Sequence, residues 1–509
     1  MKKIAALGLG FLLLATFAPS ARAAPDPALV KTTGGVVRGV VGPAGQMFQG
    51  IPYAAAGRFA APRPTAWSGV LDATKPGKVC AQSRSYPIGK PSTDEDCLNL
   101  NVTVPAGQRA KRPVIVWIHG GSLMIGMGDL YGPERLAAGG AVVVSINYRL
   151  GVTSFLAHPA LKESGGLALH DQRAALRWVR DNIAAFGGDP GNVTLMGQSG
   201  GGYAVCGQLA SPASAGLFHR AIVQSAPCLT PGNASRNKAA AEADSEQVIK
   251  DVGCATVADV AACLRAVPID VLLTAYGTQR EPRPMSGTAT LPLPVEQAFR
   301  TGRFNRVPVL VGVNRDEENG RIIGQELGAG KPMADEEYEP AVRAQFRKDA
   351  DAVLKRYPLG DSAGQTLAKV RTDSGWAVPS LDTARTLSRW TPTRMYEFAE
   401  QDTPWYAGMP MPSFPVAAQH MAELPYLFDL ALFEQLSASQ ARLAERLIGA
   451  WTRFAAEGDP NGGGESVWPR LCDNRGPAGW HVQSLTSGTW RRADFVKDHQ
   501  YRFWHRING

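Results

Sequence analysis

Five short apolar runs limit what this chain can fold into more than any other feature of its sequence. They are "PVIVWIHGG" from Pro113, "GAVVVSINYR" from Gly140, "NVTLMG" from Asn192, "HRAIVQSA" from His219 and "VPVLVGVN" from Val307. Each has the length and β-branched content of a strand buried on both faces. Helical patterns lie between them, most clearly "LHDQRAALRWVRDNIAAFG", where Leu169, Ala174, Leu176, Val179, Ile183 and Phe186 form an approximate stripe. Strands alternating with helices predict an α/β fold: a mainly parallel central sheet flanked by helices. Two stretches, about 230–306 and 325–420, are more helical and less strand-like. They are expected to form helical cap insertions within a single domain spanning 24–509.

The first residues, "MKKIAALGLGFLLLATFAPSARA", combine a basic start, an apolar run and Ala21-Arg22-Ala23. This is the pattern of a secretory signal peptide over 1–23. The apolar run from Ile4 to Phe17 is short for a bilayer span, so stable membrane insertion is not expected. The mature chain is expected to be periplasmic or extracellular. Removing Lys2, Lys3 and Arg22 with the leader lowers the formal charge from +8 to +5. No dense Lys/Arg cluster with interleaved aromatics appears, so nucleic acid is not an expected partner. All seven cysteines fall in the exported part, where disulfides can form. None sits in a C-x-x-C pair and no histidines cluster beside them, so a zinc site is not expected.

The run at Asn192 leads into "GQSGG", residues 197–201. G-x-S-x-G between a strand and a helix describes a nucleophile elbow, a sharp turn that lifts a serine above the sheet edge. In a chain with 55 glycines a G-x-S-x-G can also arise by chance, so the pentapeptide alone is moderate evidence. Its placement after "NVTLM" and before the helix-competent "GGYAVCGQLA" makes Ser199 the candidate nucleophile. Attack on an acyl carbon also needs backbone N–H donors for the oxyanion. The glycine-rich "WIHGGSLMIG", following an upstream strand, can supply two, Gly121 and Ser122, and the elbow adds the N–H of Gly200 as the third candidate donor.

Further segments give a specific resemblance. They are "FQGIPYA" (48–54), "EDCLNLNV" (95–102), "WIHGGS" (117–122), "NYRLGV" (147–152) and "DQRAALRWVRDNIAAFGGDPGNVTLMGQSGGG" (171–202). "VPVLVGVNRDE" (307–317) follows, then "GDPNG" with "WP" near 458–469. In this collinear order the chain resembles the type-B carboxylesterases, the family of bacterial carboxylesterases and cholinesterases. The resemblance spans almost the whole mature chain and implies an α/β-hydrolase fold. It matches the family's acid to Glu317 and its histidine to His420, in "PVAAQHMAELPYLF". Read from residues alone, either would pass for an ordinary surface acid or one of eight histidines. The order serine, acid, histidine is that of α/β-hydrolases.

The activity so implied is hydrolysis of a small-molecule carboxylic ester by water through an acyl-enzyme, with no cofactor and no metal. Amide, carbamate or polyester hydrolysis with the same triad is the alternative, and a catalytically inactive esterase-like binding protein is the remote one. His119 is expected to shape the oxyanion loop. The resemblance also implies disulfides Cys80–Cys97 and Cys254–Cys263. A third, Cys206–Cys228, is an open possibility that would leave Cys472 over. The chain departs from the family at Gln198, where glutamate is usual, at Ser122, where a third glycine is usual, and at Ala168. Losing the carboxylate at 198 disfavours a cationic choline ester and points to a neutral or anionic one. Phe155, Trp376, Trp405, Tyr406 and Phe414 are candidate pocket aromatics, most of which read as core.

Overall fold

The computed structural model describes residues 28–83, 89–107, 111–162 and 164–508. The expected signal peptide lies outside the described residues. The strands of the first half are β1 (Leu29–Lys31), β2 (Val36–Arg38), β3 (Val40–Gly42), β4 (Gly45–Pro52), β5 (Val70–Asp72), β6 (Asn99–Pro105), β7 (Arg112–Ile118) and β8 (Val142–Ile146). They are followed by β9 (Gly188–Gln198), β10 (Arg220–Gln224), β11 (Val309–Asn314), β12 (Thr393–Phe398), β13 (Val482–Leu485) and β14 (Arg491–Arg492). Strands β1, β2 and β5 make a small sheet, and the rest form one large sheet ordered β14-β13-β12-β11-β10-β9-β7-β8-β6-β4-β3.

From β8 to β13 in that order the strands are parallel. Antiparallel strands close both edges. The five apolar runs became β7 to β11, and their alternation shows why they sit centrally. Val114, Val116 and Ile118 of β7 point into one hydrophobic core, whereas Ile115 and Trp117 point into another on the opposite face. A strand can serve two cores only if both of its faces are apolar. The helix Leu167–Asn182 covers the first face, burying Leu169, Leu176 and Val179, with Ile183 and Phe186 in the 3₁₀ turn that follows. On the second face lies the helix Ala438–Glu457, which begins with a Ser437/Gln440 capping box and buries Leu443, Leu447, Trp451 and Phe454.

Between β10 and β11 the chain forms the helices Lys238–Asp251, Val260–Ala266, Ile269–Tyr276 and Val295–Arg300. The first three carry a satellite core around Val248, Leu264 and Leu272. The stretch 325–420, expected to be a second helical insertion, is helical only in part, because Thr393–Phe398 within it is the sheet strand β12. Arg394 and Glu397 break the apolar pattern there. Both are buried, with Arg394 donating to Asp459 and the Trp468 carbonyl, and Glu397 facing His499. The disulfides Cys80–Cys97 and Cys254–Cys263 are present, as is Cys206–Cys228, and Cys472 remains a thiol. Among the described residues no helix is long and apolar enough to cross a membrane.

The C-terminal segment is locked to the sheet by a buried ionic cluster. His499 places Nδ1 2.6 Å from Asp373 Oδ1 and Nε2 2.6 Å from Glu397 Oε1. Lys369 Nζ donates to Asp373 Oδ1 at 2.8 Å, and the Tyr357 hydroxyl donates to Asp373 Oδ2 at 2.8 Å. With a carboxylate at each ring nitrogen, His499 is an imidazolium donating twice. Burial and Lys369 oppose that charge, but Asp373 and Glu397 outweigh them and raise the pKa above the ordinary value. Removing the cation leaves two buried carboxylates short of a partner, so His499→Ala is expected to cost about 3 to 5 kcal/mol in urea unfolding. Because the folded pKa is the higher one, the contribution is complete below the unfolded pKa of about 6.5. It is lost as pH rises through the folded value, so the gap between wild type and variant should narrow on the alkaline side.

Candidate active site

Strand β9 lies at the centre of the sheet and ends at Gln198, and the helix Gly200–Ala210 begins two residues later. The single residue between them, Ser199, has φ 56° and ψ −123°, a left-handed backbone that costs a non-glycine residue on the order of 1 kcal/mol or more. Two backbone bonds hold it there: Ser199 N donates to Gln224 O at 2.9 Å and Tyr203 N to Ser199 O at 2.9 Å. The turn closes this tightly because Gly201 has no side chain; a Cβ there would come 2.0 Å from the Ile118 carbonyl oxygen. That contact also brings the end of β7 against the elbow.

The loop after β7 carries the candidate oxyanion donors. Gly121 has φ 104° and Ser122, where the resemblance expects glycine, takes φ 57°, so the serine accepts the left-handed backbone. The Ser122 side chain is exposed and borders the cavity. A Cβ on Gly200 would lie 3.0 Å from Ser122 N, which places the helix N-terminus beside the loop amides. Gln82 clamps the loop with a reciprocal pair: Gln82 Nε2 donates to Gly126 O and Gly126 N to Gln82 Oε1, both at 2.9 Å. Burial pushes the pKa of His119 down to about 4. Its neutral ring donates from Nδ1 to Gly120 O at 2.8 Å and stacks on Tyr148, so it acts as a spacer in the loop.

Glu317 follows β11 and is buried; His420 lies in the connection after β12. Their side chains meet with His420 Nδ1 2.5 Å from Glu317 Oε2. The other carboxylate oxygen, Oε1, accepts from Ser225 Oγ at 2.6 Å and from Asn314 N at 2.8 Å. Burial disfavours the imidazolium of His420, but Glu317, with Glu423 and Glu318 behind it, outweighs burial and raises the pKa above the ordinary value. Glu423 is itself buried, its carboxylate held by Asn314 Nδ2 at 2.7 Å and Gln224 Nε2 at 3.0 Å. Burial, joined by the charge of Glu317, pushes its pKa up to about 7.

Ser199, His420, Gly121, Ser122, Gly200 and Gln198 all border one cavity of about 490 Å³. Glu317 stands behind His420, outside the lining. Gln198 is buried and donates from Nε2 to the His420 carbonyl at 2.7 Å, tying the elbow to the histidine loop. An ionised glutamate at that position could not make this bond, having no proton to donate. Of the candidate pocket aromatics, Trp376 alone borders the cavity among the described residues. Its ring lies 4.6 Å from that of His420, and its Nε1 donates to Glu318 Oε1 at 2.8 Å. Phe155, Trp405 and Phe414 are buried in or against the core, and Tyr406 is half-buried. Ser225, Glu423, Gln82 and the loop 277–283 were not foreseen from the sequence. Their signal is tertiary: Ser225, at φ 47°, meets Glu317 across 92 residues of chain.

A mainly parallel sheet with a strained serine elbow, a glycine-rich amide loop and a Glu–His pair at its carboxyl-terminal edge is the α/β-hydrolase arrangement. The Carboxylesterase family model matches residues 26–504. The chain is 34% identical to fumonisin B1 esterase of Sphingopyxis macrogoltabida, over 92% of this chain and 89% of that protein. It is 33% identical to para-nitrobenzyl esterase of Bacillus subtilis, over 87% and 92%. A solved thermophilic PNB esterase superposes with a TM-score of 0.77 at 29% identity, covering 94% of this chain and all of that one. This chain belongs to the carboxylesterase family and is a carboxylic ester hydrolase.

Proposed function

We propose that the chain hydrolyses a neutral or anionic carboxylic ester through an acyl-enzyme on Ser199, with His420 as general base and Glu317 as its orienting acid. The observation that carries this reading is the 2.5 Å contact of His420 Nδ1 with buried Glu317, the imidazole bordering the cavity that Ser199 enters. His420 Nε2 takes the Ser199 proton as Oγ attacks the ester carbon. The amides of Gly121, Ser122 and Gly200 receive the oxyanion, each donor contributing about 3 to 4 kcal/mol to lowering the barrier. His420 returns its proton to the departing alkoxide; water, activated by the same nitrogen, then releases the acid.

A fluorophosphonate tests the nucleophile directly, since Oγ displaces fluoride and forms a stable O–P bond only where a base activates it. The expected result is one adduct on the tryptic peptide 181–220, mapped to Ser199. An unlabelled protein, or label on another serine, would overturn the assignment.

A further inference from the structure

The loop after the helix Ile269–Tyr276 turns at Gly277 and brings Arg280 and Arg283 to the cavity, which Arg321 of the helix Asn319–Ala329 also borders. Against these three guanidinium groups the described lining contains one carboxylate, Glu281. Arg283 is buried, sits 4.9 Å above the Tyr203 ring, and donates to the carbonyls of Asn233 and Pro282. Its contact with Glu281 is 3.5 Å long, to a side chain 65% exposed. Arg280 donates to the carbonyls of Tyr276 at 2.7 Å and Asp244 at 2.6 Å. Carbonyls fix the guanidinium fork without neutralising it. Arg321 stands 3.5 Å from Glu318, which also accepts from Trp376. Arg236, behind the loop, is paired with Asp244. On the elbow itself, position 198 is a neutral amide.

Resting on the hydrolase reading above, we propose that this face of the cavity is an anion site and that the preferred substrates are esters carrying a further carboxylate. Arg280, Arg283 and Arg321 receive the spare carboxylate. A cavity whose lining carries an excess of one sign of charge concentrates the opposite sign, and a guanidinium fork matches the two oxygens of a carboxylate. Arg283, buried with its one carboxylate contact on a solvent-exposed side chain, gains a second anionic partner when such a substrate binds. Burial pushes its pKa below the ordinary value, with Glu281 and Tyr203 offsetting only part of that.

The test uses two esters alike in length and leaving group, 4-nitrophenyl hydrogen adipate and its methyl-capped counterpart, 4-nitrophenyl methyl adipate. Wild type should favour the free acid roughly tenfold in kcat/KM, the scale of one charged hydrogen bond. The preference should shrink as added salt shortens the screening length from about 10 Å at 0.1 M. Arg280→Gln and Arg321→Gln, both at positions with solvent access, should raise KM for the free acid and bring the ratio toward one. Arg280→Lys should recover part of it. If Ser199-dependent hydrolysis of both esters is seen with a ratio at or below one, or a ratio indifferent to both glutamine variants, the anion site is wrong while the hydrolase reading stands. No Ser199-dependent hydrolysis of either ester overturns both.

Discussion

Ser199→Ala should lower kcat on an activated ester by on the order of 10⁵-fold or more while leaving the melting temperature in place. The two outcomes separate because the substitution deletes only Oγ. The bonds that hold the elbow, from Ser199 N to Gln224 O and from Tyr203 N to Ser199 O, belong to the backbone. Alanine meets the φ of 56° with the same Cβ that serine has. The oxyanion amides and the cavity survive, so a residual rate on the order of 10³-fold above water is expected, carried by water attack in a preorganised pocket. A panel of activated esters run on wild type and variant decides the matter. Equal slow rates on every ester would remove Ser199 from the chemistry and favour an inactive, esterase-like binding role. A variant that loses both rate and melting temperature would instead show that the side chain supports the fold, and the fluorophosphonate adduct would then carry the assignment.

The central strands were legible because each is a run of β-branched residues serving two cores, as Ile115 and Trp117 oppose Val114 and Val116 in β7. Strand β12 was not, because Arg394 and Glu397 lie on it and their partners, Asp459, Trp468 and His499, arrive from 65 to 102 residues away. The proposed nucleophile and its amide loop could be read locally, since an elbow is a strand–turn–helix motif with glycines where a Cβ would collide. The proposed acid and histidine could not. Glu317 and His420 are 103 residues apart, and they meet only because adjacent parallel strands deliver their connections to one edge of the sheet. Family resemblance pointed to these two residues where spacing could not. The arginines at the cavity escaped notice for the same reason: Arg280 and Arg321 lie on separate elements, and nothing in either segment says that they face one space.

Replacing Glu317 by glutamine should cost about 10⁴-fold in kcat, far more than the loss of one charge in a polar pocket would suggest. The reason lies in the two ends of the carboxylate. Oε1 receives donors from Ser225 Oγ and from Asn314 N, and the backbone N–H cannot reverse its role. The amide oxygen of glutamine must therefore take that end, which turns its NH₂ toward His420 Nδ1. Facing a donor, Nδ1 has to accept, so the ring proton moves to Nε2, the nitrogen that must be free to take the Ser199 proton. The variant holds the wrong tautomer, and its imidazolium loses its main counter-charge. In wild type the raised pKa of His420 places the acid limb of kcat/KM above the ordinary imidazole value of about 6.5, because only the neutral ring is a base. Without Glu317 that limb should shift to lower pH. Glu423 softens the shift: its carboxyl is pushed up to about 7 by burial and, in part, by the charge of Glu317, so it ionises more readily once that charge is gone. Profiles of kcat/KM from about pH 5 to about pH 9 on both proteins measure rate and limb together. A variant within tenfold of wild type, with its acid limb unmoved, would mean that Glu317 neither orients nor charges the base.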